Sequence, residues 1–238
     1  MTPSAEPEAR SVQETTRRDV DPGPRIEAFA DPSAIRALTF DLGHPHRCLS
    51  SAVLGGGLAW MRAWLNLQVK IGYARMDPDD HLHAVAEALH LPQPVVGMLT
   101  AANVTAWTSA RRGAARAIAT VGIGHPLAAA GARPRLLPRP GTINILVTLE
   151  APLSDAALVG AVQTAVEAKA QALAEARVRA ANHHGPATGT ATDCVCIAVP
   201  PGASVPFAGP ATRVGADLAH AVRQAVLAGA QFRGPPST

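Results

Sequence analysis

The chain has 238 residues, of which 16% are charged and 3% aromatic, and its formal net charge is +3. That length suits one domain with a substantial core, built mostly from Ala, Val, Leu and Ile because aromatics are scarce. Arg17-Arg18 and Arg111-Arg112 are the only adjacent basic pairs; without a basic stripe nucleic-acid binding has no support, and no apolar run is long enough for a membrane-spanning helix.

Met1 to Arg25 is polar, contains Pro3, Pro7, Pro22 and Pro24, and lacks apolar periodicity, so a disordered tail is expected over 1–25. No apolar signal segment follows Arg17-Arg18. A single domain is expected over 26–232, with a short disordered tail over 233–238. Ile35–Phe40 reads as a first strand, followed by a turn, Asp41–His46, that carries His44 and His46. Next, Ser50 and Ser51 precede Gly55-Gly56-Gly57. Successive glycines are costly in chain entropy and imply close approach of the backbone to a ligand or another segment. The spacing matches neither a Walker loop nor a dinucleotide fingerprint.

Asp77-Pro78 is a helix start, with an N-cap carboxylate and Pro at the first position, and the helix should end near His90. His81 and His83 diverge on it and read as solvated. Val95–Asn103 is a strand ending in Thr100-Ala101-Ala102-Asn103. Arg116–Gly124 is another, closing at Gly124-His125-Pro126, and Ala128–Arg139 is a loop. In Gly141–Glu150, Ile143, Ile145, Val147 and Leu149 alternate with Asn144, Leu146 and Thr148, and Asn144 is expected at the strand's mouth.

Ser154 caps the longest helix, reaching about Ala180, with Val159, Val162, Val166, Ala170 and Leu173 as its apolar stripe. Lys169 borders that stripe; its amine either snorkels outward or is held by a carboxylate. After an exposed Asn182–Pro186 loop, Ala187–Val199 crowds Thr188, Thr190, Thr192 and Asp193 around Gly189, then runs into a buried strand, Cys194–Val199. A turn that satisfies its own backbone and a functional turn both fit this pattern. The chain's three cysteines suit a reducing, cytoplasmic compartment, and Cys194 and Cys196 would point to opposite faces of a strand. A last helix runs from Thr212 to Ala228. About six strands alternate with four or five helices, which argues for an α/β fold with a layered, mixed sheet and flanking helices; an α+β four-layer sandwich is the alternative.

Six pieces occur in order: Leu49–Leu58 (LSSAVLGGGL), Asn66–Val69 (NLQV), Val96–Asn103 (VGMLTAAN), Gly141–Leu146 (GTINIL), Glu167–Lys169 (EAK) and Thr188–Asp193 (TGTATD). Together they resemble the adenosylcobinamide amidohydrolase (CbiZ) family over roughly Leu38 to Gly229. Where that family commonly has Thr-Glu-Ala-Lys, this chain has Val166, so a hydroxyl there is not essential. The resemblance implies hydrolysis of the amide joining a corrin ring to its aminopropanol arm, in corrinoid salvage or remodelling. The cobalt corrinoid would be substrate, with no further cofactor expected.

The motifs contain no His, which disfavours a metal site, although His44, His46 and His125 lie near motif segments. Amide hydrolysis needs a base or nucleophile, donors for the oxyanion and an acid for the leaving amine. Asp193 or Glu167 is the candidate base, acting on water or on Ser51, with Lys169 and Asn144 as oxyanion donors. Substrate contacts are expected from Ser50, Gly55, Gly56, Gly57, Asn66, Thr100, Thr142, Asn144, Gly189, Thr190 and Thr192. A corrinoid-binding module without turnover, or a hydrolase autoprocessed at Gly141-Thr142 or Gly189-Thr190, are the alternatives. A homo-oligomer is left open.

Overall fold

The computed structural model describes residues 23–132 and 141–231. The expected tails, apart from residues 23–25, and the Pro- and Arg-rich end of the 128–139 loop lie outside these. In chain order the elements are β1 (Arg25–Glu27), β2 (Ala34–Ser50), β3 (Gly57–Val69), α1 (Pro78–Ala88), β4 (Val95–Thr100), a 3-10 turn (Val104–Ala106), β5 (Thr108–Arg112), β6 (Ala115–Val121), β7 (Ile143–Leu149), α2 (Asp155–Glu175), β8 (Cys194–Val199) and α3 (Arg213–Gln231). The strands form one eight-stranded sheet in the order β4-β3-β2-β8-β7-β6-β5, with β1 added on β2. β3–β4 and β7–β8 pair in parallel, the others antiparallel. The α/β class with a mixed sheet is therefore what forms.

β2 corrects the expected turn at Asp41–His46. The strand continues through it, and the register steps from Asp41↔Ala63 to His46↔Met61, so a wide bulge takes up the extra residues. The turn chemistry is present, with Gly43 at φ +80 and its N–H donated to Asp41 Oδ1 at 2.8 Å. Because both flanks still pair with β3, it bends the strand rather than ending it. Past the bend, β2 pairs with β8.

The bend lets the sheet fold over itself. Leu38, Phe40, Trp64, Val96 and Met98 of one half pack against Ile118, Leu146, Cys196 and Ala198 of the other. α1 covers the outer face of β2–β4 through Leu82, Val85 and Ala86, while α2 and α3 cover the outer face of β6–β8. The layers thus run helix, half-sheet, half-sheet, helices. The alternation in β7 holds: Ile143, Ile145, Val147 and Leu149 face α2 and α3, and Leu146 faces inward.

Several local expectations change. α1 starts at Pro78, but the Asp77 carboxylate makes no cap and instead binds Arg75 at 2.6 Å. His81 is buried, not solvated, with Nε2 3.0 Å from Asp31 Oδ2 and Nδ1 2.9 Å from the Tyr73 hydroxyl. Burial pushes the Asp31 carboxyl up, but hydrogen bonds from Ser33 and His81 outweigh it and hold the pKa at about 2. β5 had no sequence signal, being a short polar strand at the sheet's edge. No described helix is long and apolar enough to cross a membrane.

Candidate functional site

The N-terminal ends of β7 and β8 lie side by side, so Gly141-Thr142-Ile143 and the Gly189–Asp193 turn meet. Asp193 is odd-numbered with Val195 and faces α2, where Lys169 emerges from the helix's buried side. Lys169 Nζ lies 2.5 Å from Asp193 Oδ2, with both side chains less than a tenth exposed. Of the two fates open to this lysine, the carboxylate-held one is realised.

Asp193 is saturated. Its Oδ2 also accepts the Thr190 N–H at 3.0 Å, and its Oδ1 accepts the Ile143 N–H at 3.0 Å and the Thr190 hydroxyl. Three N–H groups and the Thr190 hydroxyl thus surround the four lone-pair sites of the carboxylate, the hydroxyl's one proton lying between Oδ1 and the Gly141 carbonyl and favouring the charged acceptor. Burying an ion pair forfeits hydration that its Coulomb attraction only partly restores, so stability alone is a weak reason for it. Lys169, by contrast, has three N–H donors and gives one to Asp193.

Around the pair, Thr190 Oγ is 2.7 Å from the Gly141 carbonyl oxygen, and the Thr142 and Thr192 hydroxyls bond each other at 2.8 Å. Gly189 lies directly over the pair: a Cβ there would stand 2.4 Å from Asp193 Oδ2 and 2.8 Å from Lys169 Nζ. An open cleft is lined by Lys169, Asp193, Gly189 and Thr190, with Val166 and the 127–132 segment as its walls. Asn182 staples that segment, accepting the Ala128 N–H at 2.8 Å and donating to the Ala128 and Ala132 carbonyls at 3.1 Å. Asn182 belongs to the loop expected to be exposed; an Asn near a Gly-Pro turn is the one sequence signal that it would bind backbone.

The structure thus gathers Lys169, Asp193, Gly189, Thr190, Thr192 and Thr142. It does not gather the rest. Glu167 is exposed on α2, outside the cleft lining, and its side chain makes no hydrogen bond or ion pair with a described residue. Ser51 joins the β2–β8 ladder: its N–H donates to the Val195 carbonyl at 3.0 Å and its Oγ accepts the Val195 N–H at 3.1 Å. Ser50 Oγ accepts the Ala52 N–H, and Thr100 Oγ the Ala102 N–H, as turn contacts. Gly55 and Gly56 answer to the chain itself, since a Cβ would meet Val95 O at 2.8 Å and Ala52 O at 2.3 Å; only Gly57 faces open space.

Asn144 is not at a mouth. It is fully buried, donating to Asn66 Oδ1 at 2.8 Å and the Leu99 carbonyl at 2.9 Å, while Asn66 donates to Thr120 Oγ at 2.8 Å. Both asparagines lie between the half-sheets, closed off from the cleft.

The histidines do not converge. His44 and His46 stack on each other at 4.4 Å in the β2 bulge, and Arg47 beside them pairs with Val199, at the far end of β8 from Asp193. The His125 backbone abuts Gly141, but its ring Nε2 is buried without a partner. Among the described residues no three His, Cys, Asp or Glu side chains cluster as a metal site would need. Burial pushes the Cys194 thiol up, which keeps it protonated at neutral pH.

A family model described as adenosylcobinamide amidohydrolase matches residues 25–234. An adenosylcobinamide amidohydrolase of Methanosarcina mazei is 29% identical over 194 residues, 77% of this chain and 90% of its own length. A second enzyme of that name, from Halobacterium salinarum, is 38% identical over 99 residues, 41% of this chain and 39% of its own. An uncharacterized protein of Methanocaldococcus jannaschii is 36% identical over 88 residues, 37% of this chain and 34% of its own.

Proposed function

The chain belongs to the adenosylcobinamide amidohydrolase family, and on that premise we propose that it hydrolyses the amide joining corrin ring to aminopropanol in adenosylcobinamide. Water is consumed, and adenosylcobyric acid and aminopropanol are released. The reaction serves corrinoid salvage or remodelling in the cytoplasm. The cobalt enters and leaves with the substrate, and the side-chain chemistry below calls on no added cofactor.

The observation that carries this reading is the buried Lys169–Asp193 pair opening onto a cleft beneath Gly189. Amide hydrolysis builds negative charge on the carbonyl oxygen, and a fixed cation in a water-poor site stabilises that charge far more than one in bulk solvent. Asp193 aims the Lys169 ammonium, leaving its two other N–H groups for the substrate carbonyl. Gly189 lets the turn's backbone lie against both, where a Cβ would collide with them.

The test is single-turnover conversion of adenosylcobinamide by Lys169→Met and Asp193→Asn. A loss of roughly 100- to 1000-fold in each is expected, the range for removing an oxyanion donor. Near-normal rates in both would sink the assignment. Binding of adenosylcobinamide by the unaltered protein without any cobyric acid product would instead mark a corrinoid-binding module.

A further inference from the structure

We propose that Thr190 is the nucleophile, forming an ester between the chain and the corrin carboxyl before water enters; this rests on the amidohydrolase reading above. The argument starts from the saturation of Asp193. Its four acceptor positions are taken by Lys169, Ile143 N–H, Thr190 N–H and the Thr190 hydroxyl. A water seeking Asp193 as base would have to displace one of them. The Thr190 proton needs no such exchange, because its hydroxyl already lies against Oδ1, the charged one of its two acceptors.

The other hydroxyls nearby are differently engaged. Thr142 and Thr192 bond each other, Thr188 Oγ accepts the Ala129 N–H, and Ser51 Oγ accepts the Val195 N–H. Among the described residues that line the cleft, Thr190 is the hydroxyl in contact with a carboxylate. A nucleophile bonded to a base, with the base oriented by a third group, is the arrangement covalent amide hydrolysis requires. Here Lys169 is that third group. The Thr190 N–H donates to Asp193 Oδ2, and the Gly141 carbonyl oxygen, 2.7 Å from Thr190 Oγ, competes with Oδ1 for the one hydroxyl proton, the charged carboxylate being the stronger acceptor.

The step balances as follows. The Thr190 O–H bond breaks as its oxygen bonds the amide carbon, the proton passes to Asp193 Oδ1, and the carbonyl oxygen takes the negative charge beside Lys169. Collapse breaks the C–N bond; the departing nitrogen takes the proton from Asp193 and leaves as aminopropanol. Water then adds to the ester carbon, giving its proton to Asp193. When the C–O bond to Thr190 breaks, the Thr190 oxygen recovers that proton. One water has been consumed and acid and amine formed.

An ester intermediate can be recaptured by amine, whereas a carboxylate product cannot. The wild-type protein is therefore given adenosylcobinamide with a large excess of isotopically labelled aminopropanol, and the remaining substrate is weighed by mass spectrometry. Label entering adenosylcobinamide during turnover is expected. Hydrolysis with no label incorporated overturns the Thr190 ester while leaving the amidohydrolase reading intact; no hydrolysis at all overturns both. In parallel, Thr190→Ser should keep activity within about tenfold and Thr190→Ala should lose about 1000-fold or more. A Thr190→Ala protein within tenfold of wild type overturns the proposal.

Discussion

Gly189 shows how one absent atom shapes the site. Its backbone is not in the left-handed region, so conformational freedom is not why glycine stands there; proximity is. An alanine methyl would press on both members of the ion pair, at 2.4 Å and 2.8 Å, and one of them would have to move. Overpacking of this kind costs about 1–3 kcal/mol, and here the displaced groups are those assigned to the chemistry. Gly189→Ala is expected to lower kcat about 100-fold, with a smaller change in KM. Gly160→Ala is the control: it lies in α2 with open space around it, and replacing a helical glycine should stabilise by up to about 1 kcal/mol. Steady-state kinetics and thermal melting on both variants decide it, and a Gly189→Ala enzyme with wild-type kcat would show that the pair is remote from the reacting bond. The glycine, hydroxyls and carboxylate of this turn were legible in the sequence. The Thr190 N–H on Asp193, three residues along, is the turn satisfying its own backbone; what was not legible is that the Ile143 N–H completes the coordination, because that depends on β7 lying beside β8.

α2 shows where pattern reading of an element failed. Of the expected stripe Val159, Val162, Val166, Ala170 and Leu173, Leu173 is buried and Val162 half-buried against the core, yet Val159 is 51% and Val166 41% exposed. The buried face is instead Ala157, Ala161, Ala165, Ala168 and Ala172, with Leu158 and Leu173. The physical cause is close packing: α2 lies against both α3 and β8, and small side chains let backbones approach where valines would hold them apart. Hydropathy ranks Val above Ala, so the period was right and the phase was wrong. Two substitutions test that phase by denaturant unfolding. Val166→Thr should cost under about 0.5 kcal/mol, as a surface change, whereas Ala165→Val should cost about 1–3 kcal/mol by overpacking. The reverse order would mean that α2 is rotated to bury its valines. The same rotation explains why Lys169 is buried while Glu167, two residues away, faces solvent.

At the scale of the whole molecule, the fold depends on one sheet closing over itself, and strand identity alone could not reveal that. Most strands and all three helices have local signals, but the bulge in β2 carries those of a turn, because Asp-Leu-Gly-His looks the same in both. Closure brings Asn66 of β3 against Asn144 of β7, strands far apart in the sheet order. Asn66 also holds Thr120, and Asn144 the Leu99 carbonyl at the end of β4. This polar chain pins the half-sheets in one register, within a core that could otherwise slide on apolar contacts. The pin also borders the site, since the Ile143 N–H next to Asn144 holds Asp193. Removing one asparagine leaves its partners buried and unpaired, at about 1–3 kcal/mol for each such group. Asn66→Leu and Asn144→Leu are each expected to destabilise by about 2–4 kcal/mol, and the double variant by clearly less than the sum. A coupling of about 1 kcal/mol or more is the signature of direct contact. Asn144→Leu should in addition lower kcat more than Asn66→Leu does, because it perturbs the strand that supports Asp193. Strictly additive stabilities would mean that the two asparagines do not bond and that apolar packing alone sets the closure.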